Sequence, residues 1–307
     1  MSLLITLTLK QAPALRVDLR GVTPAVLAAL SVAEIERLTV THGMQTLALA
    51  ELFSIARSDS LSPWERAGVR AAHGDSDGPQ PLTPAGRGGE YNELRFIGDL
   101  SRFDRVGWQL AGGRVIVDGS VGDYVGGGMS AGELQIAGSA GALAACEMSG
   151  GLLTVAGDVG DFAASTLPGS MDGMRGGTFI VRGNAGARFG DRMRRGTALV
   201  FGDAGDFLAS RMVAGTIALG GAAGKHVGYG MRRGSVVFAG AVSATSAAPE
   251  IADTFVPAVA DALVFWQLLS RNLARHDGPF VGLPARAIRR HLGDVAAGGK
   301  GELIVAS

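Results

Sequence analysis

Gly183-Asn184-Ala185-Gly186-Ala187-Arg188-Phe189-Gly190-Asp191-Arg192-Met193-Arg194-Arg195-Gly196-Thr197-Ala198-Leu199-Val200-Phe201 runs straight into Gly202-Asp203-Ala204-Gly205-Asp206-Phe207-Leu208-Ala209-Ser210-Arg211-Met212-Val213-Ala214-Gly215-Thr216-Ile217-Ala218-Leu219-Gly220. The two runs superpose at a shift of 19 residues. Outward from this pair, anchor glycines stand 19 apart at Gly119, Gly138 and Gly157, and again at Gly183, Gly202, Gly221 and Gly240. The interval from Gly157 to Gly183 is 26, and its surplus is the seven residues 167–173. A looser turn starts at Gly98.

Three further columns keep the phase. Glycine recurs three residues after the anchor, as in Gly122, Gly141, Gly186, Gly205 and Gly224. Methionine recurs ten after it, as Met129, Met148, Met193, Met212 and Met231, with Met174 delayed by the surplus. Thirteen after it stands Gly132, Gly151, Gly196, Gly215 or Gly234. Each anchor is preceded by a β-rich run such as Leu134-Gln135-Ile136, Phe179-Ile180-Val181 or Val236-Val237-Phe238. Strand side chains alternate between faces, so the positions four and two before the anchor point inward. The position between them, which accepts Gln135 and Thr154, faces outward or is partly covered.

A period of 19 is too short for strands joined by crossover helices and suits a coil of three short strands with tight corners. The expected fold is mainly β: a right-handed parallel β-helix of about seven 19-residue coils over residues 90–245. Glycines are expected to supply the positive φ of the corners. The methionine column is expected to fill one edge of the core; its rival reading is a ligand-binding stripe. Residues 1–57 read as a small α/β cap, with Leu3-Ile5-Leu7-Leu9 alternating like a strand and Thr23-Pro24 opening a helical run. Residues 58–89, with Trp64, Pro79, Pro81 and Pro84, show no usable period and read as an exposed, flexible insertion in which Trp64 is a possible docking residue. In residues 246–307, the stretch from Phe255 to Arg275 has helical spacing, and Glu302-Leu303-Ile304-Val305 reads as a final strand.

Composition bounds the chemistry. Among 307 residues, 28 Lys and Arg balance 28 Asp and Glu, so no global field points to nucleic acid or acidic lipid. The 48 glycines are about twice average usage, without a collagen triplet. One cysteine, Cys146, excludes an intramolecular disulfide framework and a Cys-rich metal site, and fits a reducing compartment. No secretory leader is expected from the first residues, nor a membrane span from 255–269, which suggests a cytoplasmic protein.

Candidate chemical groups are few. Gly220-Gly221-Ala222-Ala223-Gly224-Lys225-His226 misses the phosphate-loop spacing by one residue, and its glycines already belong to the repeat columns. His42, His73, His226, His276 and His291 show no metal-ligand spacing. Asp123, Asp161 and Asp206 share one column and Asp158 and Asp203 another; turn capping is the plain reading, a catalytic pair or cation site the sharp one. No residue is assigned a catalytic or metal-binding role. The arginines stand out. Arg192 and Arg211 lie nine after their anchors, Arg175, Arg194 and Arg232 in the eleven column, and Arg195 and Arg233 in the twelve column. They gather on one edge, either as a solvated face paired with Asp191 and other acids or as a site for a partner or a polycarboxylate ligand.

The repeated Gly157-Asp158-Val159-Gly160-Asp161-Phe162 and Gly202-Asp203-Ala204-Gly205-Asp206-Phe207, with 171–177 (Met-Asp-Gly-Met-Arg-Gly-Gly) and 190–196 (Gly-Asp-Arg-Met-Arg-Arg-Gly), resemble the C-type subunit of formylmethanofuran dehydrogenase. Within that family the chain is most similar to the C-type subunit of the bacterial formyltransferase/hydrolase complex; the coil is also similar to the C-terminal domain of the glutamate synthase large subunit. The resemblance covers about 1–57 and 90–275. It implies a complex that moves formyl from formyl-tetrahydromethanopterin to a methanofuran-type carrier and hydrolyses it to formate, in formaldehyde oxidation by methylotrophs. It implies a formyltransferase subunit, a zinc amidohydrolase-like subunit and one further subunit as partners, with zinc held by the partner and this chain a non-catalytic scaffold. Arg175, Arg192, Arg194 and Arg195 would then help to hold the polyglutamate tail of the carrier. Two other classes compete: a stand-alone β-helical acyltransferase or polysaccharide-active enzyme, for which His226 is the histidine to test, and a glutamate-synthase-like domain.

Overall fold

The computed structural model describes residues 3–58, 92–240, 249–258 and 263–306. The expected insertion, apart from Ser58, and its Trp64 lie outside the described residues. The N-terminal part contains β1 (Leu4–Leu9), β2 (Val17–Asp18), α1 (Pro24–Ala28), α2 (Val32–Arg37), β3 (Thr39–His42), β4 (Gln45–Ala48), α3 (Leu49–Leu52) and β5 (Phe53–Ser58). The repeats contribute β6 (Glu93–Ile97), β7 (Phe103–Asp104), β8 (Ala111–Asp118), β9 (Ala131–Ile136), β10 (Leu152–Val155), β11 (Arg175–Val181), β12 (Arg195–Val200), β13 (Thr216–Leu219) and β14 (Ser235–Phe238). The C-terminal part adds β15 (Val256–Pro257), α4 (Leu263–Leu273), β16 (Ile288–Gly293) and β17 (Gly301–Ala306).

The protein is mainly β. One thirteen-stranded, mostly parallel sheet runs β15-β16-β17-β14-β13-β12-β11-β10-β9-β8-β6-β1-β5. Its register is the sequence period: Val181 pairs with Val200, Val200 with Leu219, and Leu219 with Phe238. A second ladder of single parallel bridges joins Leu100, Val121, Ala140, Val159, Ala185, Ala204 and Ala223. The inward residues Leu134, Ile136, Phe179, Val181 and their equivalents are buried in one continuous core.

The glycine and methionine columns have interlocking causes. Asp161 Oδ1 accepts the amide hydrogen of Ala187 in the following coil at 2.8 Å, and Asp206 Oδ1 accepts that of Lys225 at 2.8 Å. Those carboxylate oxygens fill the space that a β-carbon on Gly186 or Gly224 would need. The aspartates therefore cap the next coil rather than their own turn. The methyl of Met193 likewise lies against Gly215 of the next coil, and that of Met212 against Gly234. All six methionines of the column are fully buried, so core packing is their role.

The expectation that glycines supply the positive φ of the corners holds in part. The column thirteen after the anchor does so, from 84° at Gly151 to 106° at Gly215, as do Gly126, Gly128, Gly190, Gly228 and Gly230, whereas the anchor glycines from Gly119 onward do not. The anchor glycines are required for space. The corners also place larger residues in the left-handed region: Tyr124, Leu143, Phe162, Arg188, Phe207 and His226 have φ between 58° and 63°. Such residues carry a steric penalty. It is offset here because alternate amides bond to opposite neighbours. Phe207 donates to Lys225 O at 2.8 Å in the next coil, Ala209 to Phe189 O at 2.8 Å in the previous one, and Arg211 to Tyr229 O at 2.6 Å in the next. Ser210 and Met212 donate within the corner itself, to Phe207 O at 3.1 Å and Ala209 O at 3.2 Å.

Both flanks extend the sheet. β1 inserts between β6 and β5, burying Leu3, Ile5 and Leu7. α1 begins at Pro24 after the N-cap Thr23, and α2 carries a Ser31–Glu34 capping box. At the other end β17 pairs in parallel with β14, and β16 returns antiparallel beside it. The helix expected from Phe255 does not begin there. Val256–Pro257 instead adds an edge strand against β16, where a proline without an N–H is tolerated, and among the described residues α4 covers Leu263–Leu273. The outward positions change character along the stack. Gln135 and Thr154 are half-buried, whereas Ile180, Leu199, Ala218, Val237 and Ile304 form a second core beneath Trp266, Leu273, Phe280 and Leu283.

Candidate functional site

The arginine edge is built where the corner meets the following strand. Arg175 opens β11, Arg195 opens β12, and the two are cross-strand partners. Adjacent strands stand ~4.8 Å apart, so two guanidinium groups at neighbouring positions repel unless an anion answers them. Four of the seven arginines singled out from sequence have such an answer, or a soft one, within the chain. Arg175 reaches the Glu147 carboxylate at 4.0 Å. Arg194 pairs with Asp172, and the Arg192 guanidinium lies against the Met171 sulfur. Residues 167–173 therefore fold back over the next coil, and the Gly173 amide donates to Arg192 O at 3.0 Å.

Arg211 is held more tightly. Its Nε donates to Asp191 Oδ1 at 2.9 Å and its Nη2 to Oδ2 at 2.6 Å, while Ser210 Oγ also donates to that carboxylate. Asp191 is only 3% exposed, so the guanidinium and hydroxyl compensate a buried charge.

Arg195, Arg232 and Arg233 remain exposed, with no ion pair to any described residue. Sequence reasoning missed a fourth member, Lys300. Its amide donates to Arg232 O at 2.7 Å, and the pairing of Glu302 with Ser235 sets Lys300 level with Arg233. It lies outside the repeats, so no column could reveal it; the signal was the final strand, extended two residues back and paired with β14. The open end of the edge is thus Arg195, Arg232, Arg233 and Lys300, suited to multidentate binding of carboxylates.

The other candidates are structural. Asp123, Asp158, Asp161, Asp203 and Asp206 each accept a backbone amide of the next coil. His226 stacks on Phe207 with ring centroids 4.8 Å apart, and Arg188 lies 4.4 Å from the same ring. Burial, then the nearby Glu147 charge, pushes the Cys146 thiol up to about 12, far from a reactive thiolate. Burial and the Arg182 charge lower the pKa of His276. Among the described residues, no three His, Cys, Asp or Glu side chains are grouped to hold a metal ion, and no helix is long and apolar enough to cross a membrane.

No family model and no curated protein matches the chain. A solved structure does. The crystal structure of the formyltransferase/hydrolase complex (FhcABCD) from Methylorubrum extorquens, in complex with methylofuran, contains a chain 35% identical to this one. The match covers 98% of this chain and 99% of that chain, with a TM-score of 0.80. This chain belongs to the family of that formyltransferase/hydrolase subunit. The formyltransferase/hydrolase neighbour is a multi-subunit assembly, and likeness along nearly the whole of both chains extends to the flanks as well as the repeats.

Proposed function

We propose that the chain is the C-type subunit of a formyltransferase/hydrolase complex, a non-catalytic scaffold on which the formyltransferase, zinc amidohydrolase-like and further subunits assemble. The observation that carries this reading is the end-to-end likeness to a subunit of such a complex. It is supported by the ladders that join every coil to the next, which we read as faces of a right-handed parallel β-helix. In the coils His226 stacks on Phe207, the Cys146 thiol is buried, and the repeated aspartates cap the following coil, which agrees with a scaffold reading. The complex would pass formyl from formyl-tetrahydromethanopterin to a methanofuran-type carrier and release formate, within cytoplasmic formaldehyde oxidation. Affinity purification of the tagged chain from its native cells tests this: three unlike subunits, one carrying zinc, should accompany it. The isolated chain should not turn over formyl carriers. Turnover by the chain alone that His226→Ala abolishes would overturn the scaffold reading in favour of a stand-alone enzyme.

The open cationic strip supports a second element of the same reading. The polyglutamate tail of the carrier would lie along Arg195, Arg232, Arg233 and Lys300, with Arg175, Arg192, Arg194 and Arg211 ordered behind it by their own partners. Reversing Arg195 and Arg233 to Glu in the intact complex should weaken tail binding at least about tenfold, more at low salt. Unchanged carrier affinity would remove the tail from this edge.

A further inference from the structure

Helix α4 (Leu263–Leu273) lies on the second core by one side only. Trp266, Ser270 and Leu273 are buried there, with Leu269 partly buried between them. At 100° per residue, Val264, Leu268, Arg271 and Arg275 fall on the opposite side, with Phe265 at its margin. Val264 is 73% exposed, Leu268 65% and Phe265 42%. Scattered apolar residues on a surface need no explanation, but three large ones on a single helix face form a patch. The stripe continues into Arg271 and Arg275, both exposed and without an ion pair to any described residue.

We infer that this outward face of α4 docks an unlike protein subunit whose surface presents an apolar depression with carboxylates at one end. The charge pattern decides the occupant. The helix sequence Leu-Val-Phe-Trp-Gln-Leu-Leu-Ser-Arg-Asn-Leu contains no Asp or Glu. Pairing with a second copy, in either orientation, would bury the apolar side chains and leave four guanidinium groups with no carboxylate on the facing helix. A partner bearing acids at the Arg271 end satisfies both halves of the stripe, in the way apolar anchors rimmed by complementary charge do at specific interfaces. A lipid surface is disfavoured, because one side of this eleven-residue helix is already fixed on the sheet and only three apolar residues remain to insert. The inference rests on complex membership only for where the partner is sought.

The test uses the full chain co-expressed with the other subunits of its complex, followed by native mass spectrometry and light scattering. The wild-type chain should yield the complete assembly. Val264→Glu with Leu268→Glu should lose one unlike subunit, its affinity falling by roughly thirtyfold or more, while the thermal midpoint and circular dichroism of the chain itself stay unchanged. Arg271→Glu with Arg275→Glu leaves the apolar patch in place and guards against a folding defect; it should weaken the same subunit about tenfold, with steep salt dependence. Complete assemblies from both variants would overturn the proposal. So would a wild-type chain that dimerises alone through this face, or one that binds anionic phosphatidylserine vesicles until the glutamates are introduced. Failure of the wild-type chain to recruit any unlike subunit would instead remove the complex reading itself.

Discussion

Arg211 of one coil clamps Asp191 of the coil before it through two hydrogen bonds, at 2.9 and 2.6 Å. The pair divides the arginine edge into a structural half and an open half. Removing the buried partner strands a half-exposed guanidinium and the buried Ser210 hydroxyl, whereas removing Arg211 leaves a buried carboxylate with only Ser210 to compensate it. Arg211→Ala should therefore cost about 2–3 kcal/mol, and Asp191→Ala with Arg211→Ala together less than the sum of the two single changes. Arg195→Ala and Arg233→Ala should stay within about 0.5 kcal/mol of the parent. Urea denaturation of these variants checks the contrast.

Two glycine replacements separate space from backbone freedom. At Gly186 a methyl group meets the Asp161 carboxylate, so Gly186→Ala must displace a capping group and should destabilise by about 3 kcal/mol or fail to fold. Gly169 has φ of 86° but open space around its β-carbon position. Gly169→Ala should therefore cost only about 1 kcal/mol, from backbone strain alone. Equal costs would show that the ladder's close contacts are not what selects glycine.

Met193 fills the hollow above Gly215 and is fully buried. Met193→Ala should lose about 2–5 kcal/mol, whereas Met193→Leu, of similar volume, should lose under about 1.5 kcal/mol. Thermal denaturation monitored by circular dichroism distinguishes the two.

Cys146 provides a pH signature. Its folded pKa, about 12, lies above that of a thiol in an unfolded chain, so the folded state holds its proton longer. The associated stability is fully present below about pH 8.5, the ordinary thiol value, and is lost progressively as pH rises toward about 12. Cys146→Ser should show a flatter fall in stability over that window. In the native protein the thiol should resist a disulfide reagent at about pH 8, near the ordinary thiol value, and react fully once denatured.

The parallel sheet was readable because a coil repeats its needs. An apolar pair before each anchor, a glycine under each carboxylate and a methionine over each following glycine must return every 19 residues. What stayed hidden was non-periodic or compensated. The left-handed corners at Leu143, Phe162 and Phe207 break the usual preference for glycine, since paired amides stabilise a conformation that propensity disfavours. The second core was partly visible, because the outward column turns from Gln135 and Thr154 to Ile180, Leu199 and Val237. Its cover came from a helix that does not begin at Phe255, where the apolar run was read to start, because Val256 and Pro257 join the sheet edge. On the candidate edge, sequence phase located the arginines and, among their partners, Asp191, which Arg211 clamps, but not the others. Asp172 belongs to the one stretch out of phase, and Lys300 arrives from the far end of the chain.

The seven surplus residues carry one more implication. They leave the axial repeat undisturbed, since Leu152 to Val155 still pair in unbroken register with Thr178 to Val181 across them. The run of parallel strands is therefore a ruler graduated in steps of ~4.8 Å, and its graduations do not depend on how much chain is looped out sideways. Surfaces mounted on different coils are held at separations that are whole multiples of that step. Excising one 19-residue repeat would shorten their distance by one graduation, whereas a loop of any length at 167–173 would alter the decoration and leave the spacing as it was.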